Sequence, residues 1–300
     1  MAESARNARA YPQSDGRGTE PAHQNHKLRI ASWNVGSMTG RSAELAEVLL
    51  RGRINACCVQ ETKWKGSKSR QIGNNYKLIY HGVGPQNGVG IVVDKDLQER
   101  IVEVKRVSDR IIAIKLALDG NPCMNIISAY APQVGCSTVE KQLFWDDMHD
   151  LLQSIPLDEL KYIGADFNGH VGSNSTTYQR VHGNQGYGNV NAEGETILQF
   201  ASTFDLAIVN TFFTKSQQHL ITYKSGGNHT QIDFILTNRS CLKRCRDCKV
   251  IPGEPLTTQH RILVAEFVML KSVKVKKDKT PKIRWHRIGR QGEHNCAMTS

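Results

Sequence analysis

The chain has 300 residues, 39% of them apolar, which is enough for one large α/β domain or two small ones. No run approaches the roughly 20 apolar residues that cross a bilayer; the longest, Ile111 to Leu118, is broken by Lys115, and residues 1–27 lack the apolar stretch of a secretory signal, so a soluble intracellular protein is expected. The net charge of +11 is uneven: residues 271–300 carry nine Lys or Arg against two acidic residues, whereas residues 28–270 carry 26 against 23, so charge alone does not make the core a nucleic-acid binder.

Residues 1–27, rich in Ala, Arg, Gln, Asn and Gly without periodicity, read as a disordered leader. Structure is predicted to begin with an alternating strand over residues 27–34, followed by a helix over 42–51 with Leu45, Val48 and Leu49 on one face, and an apolar strand over 54–60 that ends at Glu61. The stretch 76–130 reads as five strands, at 76–81, 89–93, 101–107, 111–118 and 123–130, punctuated by Gly, Pro, Asn and Asp. A helix over 139–152 stops before Pro156, and a strand over 160–165 delivers Asp166. Residues 169–194 form a Gly- and Asn-rich loop longer than ordinary connectors, for which a functional or mobile role is expected. A helix over 195–204 and strands at 206–210, 221–223, 231–236, 246–251 and 262–268 close a domain spanning 28–270, and residues 271–300 form a basic disordered tail. Eight cysteines, several inside apolar runs, read as buried reduced thiols.

Several of these strands end on polar residues suited to phosphate chemistry: Asn34, Glu61, Tyr130, then Asp166 with Asn168. Asp233 sits between Ile and Phe-Ile-Leu, where an unpaired carboxylate is costly, and His260 precedes the last strand. A phosphodiester is anionic, so a divalent cation must neutralise it, and Mg²⁺ needs only one or two carboxylate or amide oxygens because it keeps several waters. Glu61 and Asn34 suit that task, Asp166 suits the activation of water, and Asn168 and Tyr130 suit the holding of phosphate. Asp233 would raise the pKa of His260 and fix its tautomer. Taken singly, Asn34 reads as a turn residue, Tyr130 as core-edge packing and Glu61 as the start of a loop; their joint order is what points to a site.

On Ser32-Trp-Asn34, Gln60-Glu61-Thr, Ser128-Ala-Tyr130-Ala-Pro132, Gly164-Ala-Asp166-Phe-Asn168, Gln231-Ile-Asp233-Phe and Gln259-His260-Arg, the chain resembles the endonuclease/exonuclease/phosphatase superfamily. More narrowly, Asp247-Cys-Lys-Val-Ile-Pro-Gly-Glu254 and the segment after it resemble the apurinic-type endonuclease domain of RTE-clade non-LTR retrotransposons and the craniofacial development protein 2-like proteins that carry it. The resemblance implies a DNase I-like four-layer α/β/β/α sandwich with the site at the strand ends. It implies a cation, Mg²⁺ or Mn²⁺, at Asn34 and Glu61; Asp166 activating water; Asn168 and Tyr130 at the phosphate; and Asp233 orienting His260 against it. Two departures stand out: Gln259 replaces a common Asp before the histidine, and Gly36 stands where some relatives have Asp, so altered metal affinity is expected.

The expected function is metal-dependent DNA nicking by a nuclear, monomeric protein that takes DNA as partner and no membrane. A weakly active domesticated binding domain and a small-molecule phosphatase of the same fold are the alternatives. Lys63, Trp64 and Lys65 follow Glu61 and suit contact with a nucleic-acid backbone, or form a solvated loop with one packed indole. Cys241, Cys245 and Cys248 have the spacing of a partial metal site but lack a convincing fourth ligand, so buried thiols are the expectation. Trp285 in the basic tail suits stacking on a base, or belongs to a continuation.

Overall fold

The computed structural model describes residues 26–119, 121–253 and 259–269; the leader, the basic tail and Trp285 lie outside the described residues. In chain order come β1 (His26–Asn34), α1 (Ser42–Arg51), β2 (Ala56–Gln60), β3 (Gly66–Gly73), β4 (Tyr76–Gly82), β5 (Val89–Val93) and α2 (Lys95–Gln98). They are followed by β6 (Ile101–Ser108), β7 (Ile111–Leu118), β8 (Asn121–Tyr130), α3 (Thr138–Gln153), β9 (Leu160–Asp166), β10 (Val171–Gly172), β11 (Tyr187–Val190) and α4 (Ala192–Thr203). The chain closes with β12 (Leu206–Ile208), β13 (Tyr223–Ser225), β14 (Asn228–Thr230), β15 (Asp233–Asn238), β16 (Cys245–Val250) and β17 (Leu263–Met269).

Two large sheets result, ordered β16-β17-β1-β2-β5-β4-β3 and β12-β15-β9-β8-β7-β6. Their central strands are rich in apolar residues on both faces because both faces are covered. In β2, Ala56 and Cys58 face the second sheet, joining Ile30, Ile91, Ile112, Ile126 and Ile235 in the middle layer. Cys57 and Val59 of the same strand face outward onto Leu45, Val48 and Leu49 of α1. The far side of the second sheet buries Ile127, Ile163 and Phe234 against Phe144 and Met148 of α3 and Ile197 and Phe200 of α4. The order is therefore helix, sheet, sheet, helix, the four-layer sandwich the resemblance implies.

The sheets approach each other tightly at Gly164 of β9. A Cβ there would stand 2.7 Å from the Cβ of Cys58 and 3.1 Å from that of Ser32, so only glycine fits. Beside it the buried amide of Gln60 donates to Ser32 Oγ of its own sheet at 3.3 Å and across the gap to Ser128 Oγ and the Gly164 carbonyl, each at 3.2 Å.

Topology then assembles one end of the sandwich. β1 runs parallel to β2, and β8 parallel to β9, so the C-terminal ends of each pair coincide. β15 runs antiparallel to β9, with Asp233 opposite Asp166, and β17 antiparallel to β1, so the residues that begin or precede these two strands reach that same end.

Among the differences from expectation, three have a plain physical reason or frame the site, beside the unexpected α2 and the β13–β14 hairpin found where one strand over 221–223 is expected. Gly66–Gly73 is a strand, β3, where a basic loop was predicted; it is a sheet edge exposed along most of its length, so it carries no apolar alternation. The 169–194 segment holds the β10–β11 pair instead of being structureless. Helix α4 starts at Ala192, three residues early, because Asn191 caps it by accepting from Gly194 N–H at 2.9 Å.

Candidate active site

The strand ends enclose an open cavity of about 800 Å³ lined by, among others, Asn34, Gly36, Glu61, Lys63, Asn168, Tyr223, Gln259 and His260. Eight non-glycine residues among those described have positive φ, and three of them, Glu61 at 54°, Lys63 at 54° and Asn168 at 50°, line this cavity. Left-handed backbone costs about 1–3 kcal/mol per residue, and such conformations concentrate where a fold holds side chains for function.

Asn34 is central. Its Nδ2 donates to Glu61 Oε1 at 2.9 Å and to Asp166 Oδ2 at 3.0 Å, while its Oδ1 accepts the Gly36 N–H at 2.9 Å. Two carboxylates and one N–H around the amide settle which end is which. Asn34 thus ties the Glu61 and Asp166 carboxylates together through its amide nitrogen, with its oxygen turned to the Gly36 N–H, and it lines the cavity beside Glu61. Glu61 also accepts from the Tyr130 hydroxyl at 2.7 Å and pairs with Lys63 Nζ at 3.2 Å. Burial raises the Glu61 pKa, but the bonds from Asn34, Tyr130 and Lys63 outweigh it, so the carboxyl lies below its ordinary value and is ionised at neutral pH. Burial, with the Glu61 charge beside it, lifts the Tyr130 phenol far above its ordinary range, so it acts as a neutral donor.

Opposite Glu61 lies a charged trio. His260 Nδ1 faces both oxygens of Asp233, at 3.0 and 3.2 Å, and its Nε2 stands 3.7 Å from Asp166 Oδ2. Among the described residues this trio is the one group of three His, Cys, Asp or Glu side chains whose donor atoms all lie within 4.8 Å of one another. Asp166 and Asp233 are 1% and 0% exposed, so the trio forms the floor of the site, beneath the open cavity. Burial depresses the His260 pKa, yet the Asp233 and Asp166 charges prevail and raise it to about 9. Burial and the Asp233 charge push Asp166 above the ordinary carboxylate range, against the opposing pull of His260 and Asn34. The arrangement places the His260 imidazolium between the side chains of Asp233 and Asp166, of which Asp166 holds its proton more tightly than an ordinary carboxyl.

Asn168 lines the wall: its backbone N–H donates to Asp166 Oδ1 at 3.1 Å and its Nδ2 to the Ala131 carbonyl at 2.8 Å. Of the basic trio after Glu61, Lys63 enters the cavity and Lys65 and Trp64 do not line it. The indole of Trp64 is half-buried, 5.2 Å from the Tyr80 ring and 5.0 Å from the Arg70 guanidinium, which is the packed-indole reading. Cys241, Cys245 and Cys248 are free and buried in the core, with burial raising the Cys245 pKa to about 12. Sequence reasoning passed over two residues here. Gln60 was quoted only as part of a motif, although an amide in a wholly buried strand must find partners. Tyr223, whose ring meets the His260 ring edge-on at 4.8 Å, carries no signal in its local sequence.

The donor set fits a hard divalent cation through Glu61, whose ionised carboxylate faces the cavity, with water and phosphate oxygens completing the shell. Gly36 and Gln259 bring no carboxylate to the cavity, and Glu61 is the one carboxylate among the described lining residues.

Residues 31–257 match the Endonuclease/Exonuclease/phosphatase family. The chain is similar to craniofacial development protein 2 of Bos taurus, 29% identical over 244 residues, covering 79% of this chain and 40% of that one, so it spans about two-fifths of that relative's length. In fold it is similar to an AP endonuclease from Archaeoglobus fulgidus (TM-score 0.59, 20% identity, 80% of this chain and 99% of that one). It is also similar to the endonuclease domain of TRAS1, a telomere-specific non-LTR retrotransposon (TM-score 0.59, 14% identity, 81% and 98%). The match over residues 31–257 takes in every strand end described above except the one carrying His260, and by it this chain belongs to the endonuclease/exonuclease/phosphatase family.

Proposed function

We propose that the domain is a divalent-cation-dependent endonuclease that nicks DNA, with Mg²⁺ as the working ion and Mn²⁺ as a substitute. The observation that carries this reading is the convergence of Asn34, Glu61, Tyr130, Asp166, Asn168, Asp233 and His260 at one end of the sandwich, on or just beneath one cavity. A cation bound at Glu61 would supply charge neutralisation for the phosphate and the departing oxygen.

The chain's own groups divide the rest. Asp166, less acidic than an ordinary carboxylate, takes the proton of the attacking water as its oxygen bonds to phosphorus. The P–O3′ bond breaks on the opposite side, and the departing oxygen takes a proton from solvent to leave a 3′-hydroxyl. His260, kept cationic by Asp233, faces the non-bridging phosphate oxygens and offsets their growing charge. Asn168 and Lys63 hold the phosphate at the wall, and Tyr130 with Asn34 fixes the Glu61 carboxylate by hydrogen bonds. The protein acts as a monomer in the nucleus, with the basic segment 271–300 adding backbone attraction.

A second reading, a DNA-binding domain of low activity, has the missing carboxylates at Gly36 and Gln259 in its favour. Supercoiled plasmid incubated with Mg²⁺ or EDTA, beside Asp166→Ala and His260→Ala, separates the two. Mg²⁺-dependent nicking lost in both variants supports the nuclease; intact plasmid with salt-sensitive retention of DNA supports the binding domain; hydrolysis of small phosphate esters alone would point to a phosphatase.

A further inference from the structure

Gln259 immediately precedes His260 and lines the same cavity, and its side chain is held by the neighbouring strand. Its Nε2 donates to Ser225 Oγ at 2.8 Å, and its Oε1 accepts from the Tyr223 hydroxyl at 3.2 Å. Its carbonyl accepts the Lys224 N–H at 2.9 Å. All three contacts fall on β13, the first strand of the β13–β14 hairpin, which turns through Gly226 and Gly227. Tyr223 forms an antiparallel bridge with His260 and lays its ring edge-on against the imidazole at 4.8 Å. Asn228, His229 and Thr230 of the returning strand line the cavity together with Gln259 and His260.

The hairpin is short, three residues a strand, and both strands are half-buried or exposed. A hairpin of that size has little stability of its own. Its position as a cavity wall must come from what ties it to its neighbours, and besides the Tyr223 ring on His260, the two side-chain hydrogen bonds that tie β13 among the described residues both lead to Gln259. The amide suits this because it donates and accepts at once, spanning a hydroxyl that gives a proton and one that receives it. Aspartate at this position would be one methylene shorter and would fall short of the two hydroxyls.

We infer that Gln259 is a positioning residue: it latches the β13–β14 hairpin beside His260 and so sets one wall of the substrate cavity, instead of contributing to a cation site. The catalytic part of this inference rests on the nuclease reading above; the latch itself does not. The test therefore has two arms.

In the first, hydrogen exchange is measured on the DNA-free protein. Gln259→Ala should speed exchange of the amides of residues 224–230 about three- to tenfold, the change expected from losing two exposed hydrogen bonds. Tyr223→Phe with Ser225→Ala should do the same, and adding Gln259→Ala to that pair should change little more. Gln259→Glu should restore protection, since a carboxylate accepts from both hydroxyls. In the second arm, Gln259→Ala should raise the KM for DNA while leaving kcat and the Mg²⁺ half-saturation within about twofold. Unchanged hairpin exchange in Gln259→Ala, or equal loosening in Gln259→Glu, overturns the latch. A shifted Mg²⁺ half-saturation with unchanged KM overturns the positioning role in favour of a metal role. A wild-type chain that cuts nothing defeats the nuclease reading, while the exchange arm still decides the latch.

Discussion

At the residue scale the site depends on who carries protons at neutral pH. His260 is raised to about 9 because the attraction of Asp233 and Asp166 exceeds the penalty of burial. It is protonated below that value and loses its proton as the pH rises through it, so nicking should decline above about pH 9. Replacing Asp233 by Asn removes the largest contribution holding the proton, and the alkaline limb of the pH–rate profile should move to lower pH; an unmoved limb would assign it to another group. Asp166→Asn and His260→Ala should each lower the single-turnover nicking rate by about 10²-fold or more, the scale of a lost proton-transfer or charge-stabilising group. Asn34 illustrates how residue type and residue role separate. The sequence shows an amide at a strand end, and only its partners in space show that its nitrogen links Glu61 to Asp166 while its oxygen accepts from Gly36.

At the element scale, two features hold the strand ends together. Gly164 lets the sheets approach, and Gly164→Ala would drive a methyl to within 2.7 Å of the Cys58 Cβ. Overpacking of this kind costs about 1–3 kcal/mol, which a lowered urea midpoint should register. Asn191 joins the loop after Asn168 to helix α4, since its side-chain oxygen accepts both Gly194 N–H and His170 N–H, each at 2.9 Å. Asn191→Ala should cost about 1 kcal/mol and Asn191→Asp much less, because the aspartate keeps the acceptor; equal losses in the two would mean that the cap contributes nothing. The edge strand β3 went unread in the sequence for a physical reason. A strand that buries only Ile72 has no apolar face to produce a period of two.

At the scale of the whole molecule, charge is segregated: a mildly basic domain precedes a segment with nine cations and two anions in its last 30 residues. DNA retention by the full chain should fall with salt more steeply than retention by residues 28–270, because each phosphate contact releases a counterion. Equal salt slopes would assign the contacts to the domain alone. Described helices include none long and apolar enough to cross a membrane.

The sequence by itself determined the layers of this protein and the chemistry of its strand ends. Apolar runs such as Val89–Val93 and Ile111–Ile114 mark strands covered on both faces, and the polar residues Asn34, Glu61, Tyr130 and Asp166 stand where those strands end. Those signals are local, so they were legible without a structure. Only the tertiary structure decided which polar atoms meet. The direction of the Asn34 amide, the bridge made by Gln60, the packing of Trp64 on Tyr80 and the hold of Gln259 on β13 all depend on partners 16 to 132 positions away. A hydrogen bond or ring contact is set by distance and angle in space, and neither is written in the order of the residues.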